Sequence, residues 1–468
     1  MKKPILPLFT LVILITGCRV ISRDRDSVIV KQIFSEALTD TTSYRNLRHL
    51  CTKIGGRICG SPEAAEAVQW SKKLLEGMGL DTVYLQDCMV RHWVRGEDET
   101  VTVNPGSNTS FPLHACAIGG SVGTDKIGIT AKVIEVKDFD ELEKLGRDKI
   151  EGRIVFFNHP ADPSHYYTFS AYGEVAAYRV SGAARAVRFG AIAVVVRSAT
   201  LALDDNPHTG IMHYPDSGTK IPAVAIGTND ADKLSFFLKQ DPELDLLIRL
   251  SCREYPEIHS GNVIGEIRGS DRPEEVIAFG GHIDAWDNGQ GAHDDGVGVI
   301  QTIEVLRIFR TLGIKPRHTL RVVVFMDEEV DQRGAKVYAE NAIRDARYPV
   351  GDPRYRKHIA AVESDRGGFT PFGFSIDASQ AQIEKIRKWK DLLLPYGIYM
   401  FDKGGSGVDI GGLKPLGIPL IALVTDSQRY FDYQHAATDT FDKVNRREMQ
   451  LGSAAIAALV WMIDQKGF

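Results

Sequence analysis

Several features that would indicate other classes of protein are missing from this chain of 468 residues. Positive charge is not in excess, since 56 basic residues face 61 acidic ones and the formal net charge is −5. A nucleic-acid-binding protein usually has a basic domain or stripe, so we predict no nucleic-acid partner. Long blocks of like charge and short internal repeats are also lacking. The 43% of apolar and 25% of charged residues are typical of a globular protein. The length of 468 residues predicts two or three domains.

Cysteine is scarce as well, with six residues in the whole chain. The five that follow Cys18 include no closely spaced pair of the kind that binds zinc in finger domains. Cys51 and Cys59 are near enough in sequence to form a disulfide in an exported protein. The alternative is that these cysteines are buried free thiols.

The apolar run from Ile5 to Ile15 is too short to span a bilayer, and it follows two lysines as a signal-peptide core does. It leads directly into Gly17 and Cys18, which resemble a bacterial lipoprotein cleavage box. We therefore predict a signal peptide at 1–17, a lipid anchor on Cys18 and a polar tether at 18–26. The protein would be exported and membrane-anchored, on the periplasmic or cell-surface side. The alternative is a plain signal peptide with an incidental cysteine.

The rest of the chain alternates short apolar strands with amphipathic helices, which predicts an α/β fold. Residues 121–252 have their own alternation and are expected to form a smaller inserted domain. The main domain would then consist of residues 27–120 and a catalytic part, 253–468. The strands predicted in the catalytic part are 276–279, 320–326, 359–362, 398–401 and 420–424.

Acidic residues and histidines follow these strands at the points where the strands end. In open α/β sheets, ligands bind outside the carboxyl ends of the strands. We therefore expect the segments concerned to meet at one edge of the sheet. They are 280–284, 291–296, 327–329, 363–365 and 434–435.

Imidazoles combined with several carboxylates are the ligand types of zinc, and cobalt or manganese would also fit. A paired site needs a group that bridges two ions about 3.5–4 Å apart. Asp294 lies in a glycine-flanked loop and suits that position. Taken singly, each of these residues is more typical of a solvated loop, and only their joint order indicates a site. The histidines and aspartates between 204 and 213 are expected to be ordinary loop residues, and His293 to be exposed or a neighbour of the site.

The neighbouring Glu328 and Glu329 indicate a division of roles, because adjacent residues of an extended segment point to opposite sides. One carboxylate can hold metal while the other faces the substrate. Glu328 fits the general base that moves the proton of a water molecule. Asp284 follows His282 by two residues, so its carboxylate is predicted to accept a hydrogen bond from that ring.

These motifs resemble those of the co-catalytic zinc aminopeptidases, and residues 30–465 are similar to the carboxypeptidase Q-like branch of that family. The most specific match is the run from Gly281 to Asp287, followed by the run from Gly289 to Gly296. The segment from 121 to 252 resembles an inserted protease-associated domain. The resemblance implies a mixed sheet sandwiched by helices, together with that smaller α/β domain.

The resemblance also implies two divalent ions, zinc in such relatives. His282 and Asp365 would hold one ion, and Glu329 and His435 the other. Asp294 would bridge them, with Glu328 as catalytic base and Asp284 as a supporting residue. The resemblance further predicts a cis peptide bond between Asp294 and Asp295.

The expected function is a metal-dependent exopeptidase or dipeptidase with peptides as substrates. Two alternatives use the same fold: a glutaminyl cyclase-type aminoacyl transferase and a non-catalytic binding module. The sequence leaves open which peptide end is recognised. Asp409 could bind a substrate amine, and Arg366 could bind a carboxylate. The sequence also leaves open whether the protein forms a homodimer.

Overall fold

The computed structural model describes residues 12–215 and 217–468, with side chains from residue 25 onward in the first helix. The predicted signal peptide therefore lies largely outside the described residues, as does the side chain of Cys18. The helices are α1 (Val12–Thr39), α2 (Thr42–His49), α3 (Pro62–Glu76), α4 (Phe139–Ile150), α5 (Thr168–Ala186), α6 (Thr228–Gln240), α7 (Val297–Thr311), α8 (Arg333–Asp345), α9 (Gln380–Arg387), α10 (Lys390–Leu393) and α11 (Arg446–Lys466).

Sixteen strands accompany these helices in the described part of the chain. They are β1 (Thr82–Val94), β2 (Glu99–Val103), β3 (Phe111–Leu113), β4 (Ala115–Ala117), β5 (Ile129–Val136), β6 (Ile154–Phe157), β7 (Ala193–Arg197), β8 (Ala223–Ile226), β9 (Asp245–Leu250), β10 (Arg253–Ile267), β11 (Arg272–His282), β12 (His318–Phe325), β13 (Lys357–Glu363), β14 (Pro371–Asp377), β15 (Met400–Lys403) and β16 (Leu420–Thr425).

The larger sheet has eight strands in the order β1-β10-β12-β11-β13-β16-β14-β15. Its centre is parallel, since β11 pairs in parallel with β12 and β13, and β13 with β16. Alternate residues of β11 face opposite helical layers: Phe279 packs in the core with α7 and α11, and Ala278 packs in the core with α8. Strands buried on both faces read as continuous apolar runs, which is why they were predictable.

The second sheet, in the order β3-β2-β9-β5-β6-β7-β8-β4, forms a smaller unit with α4, α5 and α6. This unit begins earlier than the predicted boundary at residue 121. Strand β2 pairs with β9 and with β3, and β4 pairs with β8, so residues 99–117 belong to it. We therefore propose that the smaller unit spans 99–252. The remaining described residues form the main unit.

The amino-terminal segment differs from its prediction. Residues 18–26 were expected to form a tether, but they continue within α1. No proline or glycine occurs between residues 18 and 39, so nothing in the sequence breaks the helix. Among the described residues, no helix combines the length and hydropathy that a membrane-spanning helix needs.

The topology brings the predicted site segments together. The parallel strands β11, β12, β13 and β16 all end at one edge of the sheet, where β11 finishes on His282. The segment with Glu328 and Glu329 follows β12, and Asp365 lies two residues after β13. The chain that follows β16 reaches His435 ten residues after the strand ends at Thr425. The arrangement is that of a mixed α/β sheet between helical layers, as predicted.

Candidate metal centre

The five predicted ligands lie in two groups that share Asp294. His282, Asp294 and Asp365 form one group, and Asp294, Glu329 and His435 form the other, each with its ligand atoms within 4.8 Å of one another. Nε2 of His282 lies 3.3 Å from Oδ1 of Asp294 and 3.6 Å from Oδ1 of Asp365. Nε2 of His435 lies 3.3 Å from Oδ2 of Asp294 and 3.0 Å from Oε2 of Glu329.

The donor atoms of both groups suit divalent cations. Within these two ligand groups, four buried atoms have no hydrogen-bond partner among the described residues. They are Nε2 of His282, Oδ2 of Asp294, Oε1 of Glu329 and Oδ1 of Asp365. Buried polar atoms are nearly always paired, and an unpaired one is costly. Imidazole nitrogen and carboxylate oxygen are ligands of zinc. The residues therefore fit two ions, with Asp294 able to contribute one oxygen to each.

Burial and mutual repulsion dominate the electrostatics of this cluster. Burial raises the pKa of Glu328 well above its usual range, and the charges of Asp365 and Glu329 act in the same direction. Burial also tends to raise the pKa of Asp294, but the contacts with His282 and His435 outweigh it and hold that pKa below its usual value. Bound cations are the groups that relieve such a concentration of buried negative charge.

Glu328 and Glu329 occupy different positions, although they lie in a turn and not in the extended segment from which the difference was predicted. The Glu329 side chain is 3% exposed and contacts His435. The Glu328 side chain is 16% exposed, and its Oε2 lies 3.9 Å from Nε2 of His282. Glu328 is thus beside the ligand cluster and more accessible than Glu329. This is the position that a base acting on substrate or water requires.

Asp284 supports the site in a way that differs from the prediction. Nδ1 of His282 lies 3.1 Å from the backbone carbonyl of Asp284 and 3.8 Å from its carboxylate, so the carbonyl is the closer acceptor for the ring. The carboxylate instead accepts hydrogen bonds from the backbone N–H groups of Asp327, Glu328 and Glu329, at 2.9, 3.2 and 3.3 Å. Asp284 therefore fixes both the histidine and the turn that carries the two glutamates.

Two further supporting residues were not found from the sequence. Nε1 of Trp286 donates to Oε2 of Glu329 at 2.6 Å. Arg57 is completely buried, and its guanidinium donates to the carbonyls of Ile283, Gln290 and Gly291. Trp286 lies inside the most specific motif and could have been suspected there. The role of Arg57 has no local signal, because these three carbonyls are more than 200 positions away in the chain.

Other predicted features are also placed by the structure. The peptide bond between Asp294 and Asp295 is cis, as the family resemblance predicts. His293 is buried and stacks on both Phe369 and Tyr433, with ring centroids 4.4 and 5.4 Å away. Burial lowers the pKa of His293 to about 4, so it is a neutral packing residue and not an exposed one.

The described cysteines are buried free thiols, so the suggested disulfide between Cys51 and Cys59 is wrong. His208 and His213 join none of the metal-compatible groups among the described residues. Asp205 does lie in such a group, with His114 and Asp230, but the first two of these side chains are exposed.

Comparisons with known proteins find similar peptidases. A model of peptidase family M28 matches residues 262–460. Carboxypeptidase Q of Bos taurus is 32% identical over 440 residues, which cover 93% of this chain and 88% of that protein. The crystal structure of a peptidase M28 precursor from Shewanella amazonensis has a TM-score of 0.88 at 29% identity, with 95% of this chain and 98% of that chain covered. A zinc aminopeptidase from Bacillus subtilis shares the fold, with a TM-score of 0.64 at 16% identity over 91% of this chain and 95% of that chain.

The hydrogen bond from Trp286 to Glu329 can be tested by substitution. Trp286→Phe keeps an aromatic ring but removes the N–H donor. We expect the apparent affinity for zinc, measured by competition with a chelator, to fall about 10–100-fold, as is typical when a partner of a metal ligand is lost. Trp389→Phe is the matched control, because Trp389 is a buried tryptophan that packs against Phe468, away from the ligand groups. Equal zinc affinity in both variants would contradict the role of Trp286.

Proposed function

The chain belongs to peptidase family M28, and from this premise we propose that it cleaves dipeptides and short peptides with Glu328 as general base. Its class is that of a metal-dependent exopeptidase, a hydrolase. The observation that carries the proposal is the position of Glu328, partly exposed and next to two ligand groups that share Asp294.

The proposed centre would hold two zinc ions. His282 and Asp365 would hold one ion, Glu329 and His435 the other, and Asp294 would contribute an oxygen to each. When bound, such ions supply the Lewis acidity that polarises a scissile carbonyl and acidifies water. Glu328 takes the proton of the attacking water and delivers it to the leaving amine. Asp284 keeps Glu328 in place through the hydrogen bond that it accepts from the Glu328 N–H.

The two alternatives on this fold are less well supported. A non-catalytic module would be expected to have lost ligands, whereas all five candidate ligands are present here. A glutaminyl cyclase would release ammonia from an amino-terminal glutamine, but the similar proteins named above are peptidases. Analysis of the products formed from a peptide with amino-terminal glutamine separates cyclisation from hydrolysis.

We propose that the free carboxylate of the substrate is the end that is recognised. Arg366 follows the candidate ligand Asp365 directly, and its guanidinium forms no ion pair among the described residues. The guanidinium lies 5.2 Å from the ring centroid of Phe169, a residue of the smaller unit. An unpaired guanidinium suits bidentate binding of a carboxylate.

Asp409 is less suited to bind a substrate amine. Its side chain is only 1% exposed, and both of its carboxylate oxygens lack partners among the described residues. Burial raises the pKa of Asp409 well above its usual range, so this group is enclosed and its charged form is disfavoured. A charged and accessible acid would be needed to attract an ammonium group.

Export is the proposed setting for this activity. The lysines, the apolar run and Cys18 support a lipoprotein leader that places the enzyme outside the cytoplasm. Peptides on that side of the membrane would then be its substrates.

Glu328→Gln tests the assignment of the base. The substitution preserves size and removes the group that accepts a proton, so we expect kcat to fall by about 10²–10⁴-fold. Bound zinc, measured by mass spectrometry of the native protein, should stay at the wild-type amount. Glu340→Gln, at an exposed position of α8, is the control and should leave both quantities unchanged. Wild-type kcat in Glu328→Gln would refute the assignment.

Arg366→Met tests recognition of the carboxylate. The wild-type enzyme should prefer a dipeptide with a free carboxylate over its amide, and the variant should lose about 10- to 100-fold of that preference in kcat/KM. Arg429→Met changes an exposed arginine of the neighbouring loop, which stacks on Tyr433, and should keep the preference. If the amide is cleaved as well as the free acid by the wild-type enzyme, recognition of the carboxylate is wrong.

A further inference from the structure

The loop that carries His435 is held from the side of the smaller unit. This loop, residues 427–436, is called here the His435 loop. Four groups of the smaller unit donate hydrogen bonds to its backbone carbonyls. They are Oγ1 of Thr168 to Ser427 at 2.8 Å, Oγ1 of Thr200 to Phe431 at 2.6 Å, Nδ1 of His208 to Gln434 at 2.7 Å, and the backbone N–H of Thr209 to His435 at 3.0 Å.

The ring of His435 also contacts the smaller unit on the side away from the other ligands. With Nε2 directed at Asp294 and Glu329, Nδ1 lies 3.2 Å from the carbonyl oxygen of Thr209, to which it can donate. Metal-binding histidines usually donate their second ring N–H to such an acceptor, which fixes the orientation of the ring. The backbone of His435 has a φ of +63°, a conformation that a residue with a side chain adopts only when its surroundings impose it.

Arg179 of α5 completes this contact. Nη1 of Arg179 donates to the carbonyl of Thr209 at 3.2 Å. The same atom lies 3.3 Å from Nδ1 of His435. The guanidinium is held between the ring of Tyr172, whose hydroxyl accepts from it at 2.7 Å, and Gly210. A Cβ at Gly210 would lie 2.4 Å from Cζ of Arg179, so only glycine allows the approach.

Arg179 makes no ion pair with an acid among the described residues, although it is only 6% exposed. Burying an arginine without a carboxylate is costly. Its contacts go instead to the segment that orients His435. Ionic stabilisation of the smaller unit therefore does not explain why the cation is there.

Two of the other candidate ligands, His282 and Asp365, are positioned by the main sheet. His282 ends β11 and its backbone N–H donates to Asp295, while Asp365 follows β13 of the same sheet. The two ligand groups therefore differ in what supports them. The group with His282 and Asp365 depends on the main sheet, and the group with Glu329 and His435 depends on both units.

From this asymmetry we infer that the smaller unit is a structural part of the metal centre, with Arg179 as a positioning residue for His435. The inference rests on the proposed assignment of two ion sites. It makes the Glu329–His435 site selectively sensitive to changes in the smaller unit, and leaves the His282–Asp365 site insensitive to them.

The test is a zinc titration of the metal-free, full-length protein by calorimetry. Wild type should bind two ions in two steps. In Arg179→Met, one step should weaken about 10–100-fold, the range found when a partner of a metal ligand is removed, and the other should be unchanged. Arg179→Lys, which keeps a donor, should recover part of the loss.

Arg197→Met is the matched control. Arg197 is a buried arginine of the same unit, but it pairs with Asp232 and Asn158 and does not contact the His435 loop. This variant should give the wild-type titration. Thr200→Val is nearly isosteric and removes the bond to Phe431 together with the one that Oγ1 of Thr200 accepts from the Ala202 N–H. It gives a second measurement should Arg179→Met fail to fold. It should weaken the same step by a smaller factor.

Each possible result of the titration either supports or contradicts the inference. If wild type binds two ions and the variants at 179 and 200 bind both with wild-type affinity, the inference is wrong. If Arg197→Met weakens zinc binding as much as Arg179→Met does, the effect is general instability of the smaller unit and the inference is again wrong. If wild type binds a single ion, the proposed paired site fails. The inference then holds only if that ion is lost in Arg179→Met.

Discussion

The carboxylate of Asp294 lies between two imidazoles, with one oxygen 3.3 Å from His282 and the other 3.3 Å from His435. The rest of the centre depends on this spacing. Asp439 accepts hydrogen bonds from the backbone N–H groups of His293 and Asp294, which fixes the loop on one side. Buried Arg57 holds the carbonyls of the same loop on the other side. A glycine-rich segment thereby becomes a rigid support for a shared ligand.

Much of the main fold could be predicted from the sequence, because β11, β12, β13 and β16 are buried on both faces and appear as continuous apolar runs. Strand β10 gives no such signal, since its first seven residues are exposed. The short β2 to β4 were also missed, and the boundary of the smaller unit with them. The partners of β2 and β4 in the rest of that sheet, β9 and β8, lie more than a hundred residues away, and no local pattern records such pairing.

The candidate ligands could be located because they lie at or beyond the carboxyl ends of predicted strands, and because their motifs resemble those of a known family. The residues that hold these ligands in place could not be located from the sequence. Whether the carbonyl or the carboxylate of Asp284 faces His282 depends on local geometry that residue type does not specify. Contacts between Arg179 and His435 span 256 positions and two units of the fold. Such long-range contacts fix the orientation of ligands that the sequence already identifies, and only the structure shows them.

The central claim is that Asp294 joins two ion sites. Crystals of the protein grown with zinc, measured at the zinc absorption edge, test it directly. The account predicts two anomalous peaks about 3.5–4 Å apart. One should lie beside His282 and Asp365, the other beside Glu329 and His435, with Asp294 in contact with both. A single peak, or peaks away from Asp294, would contradict it.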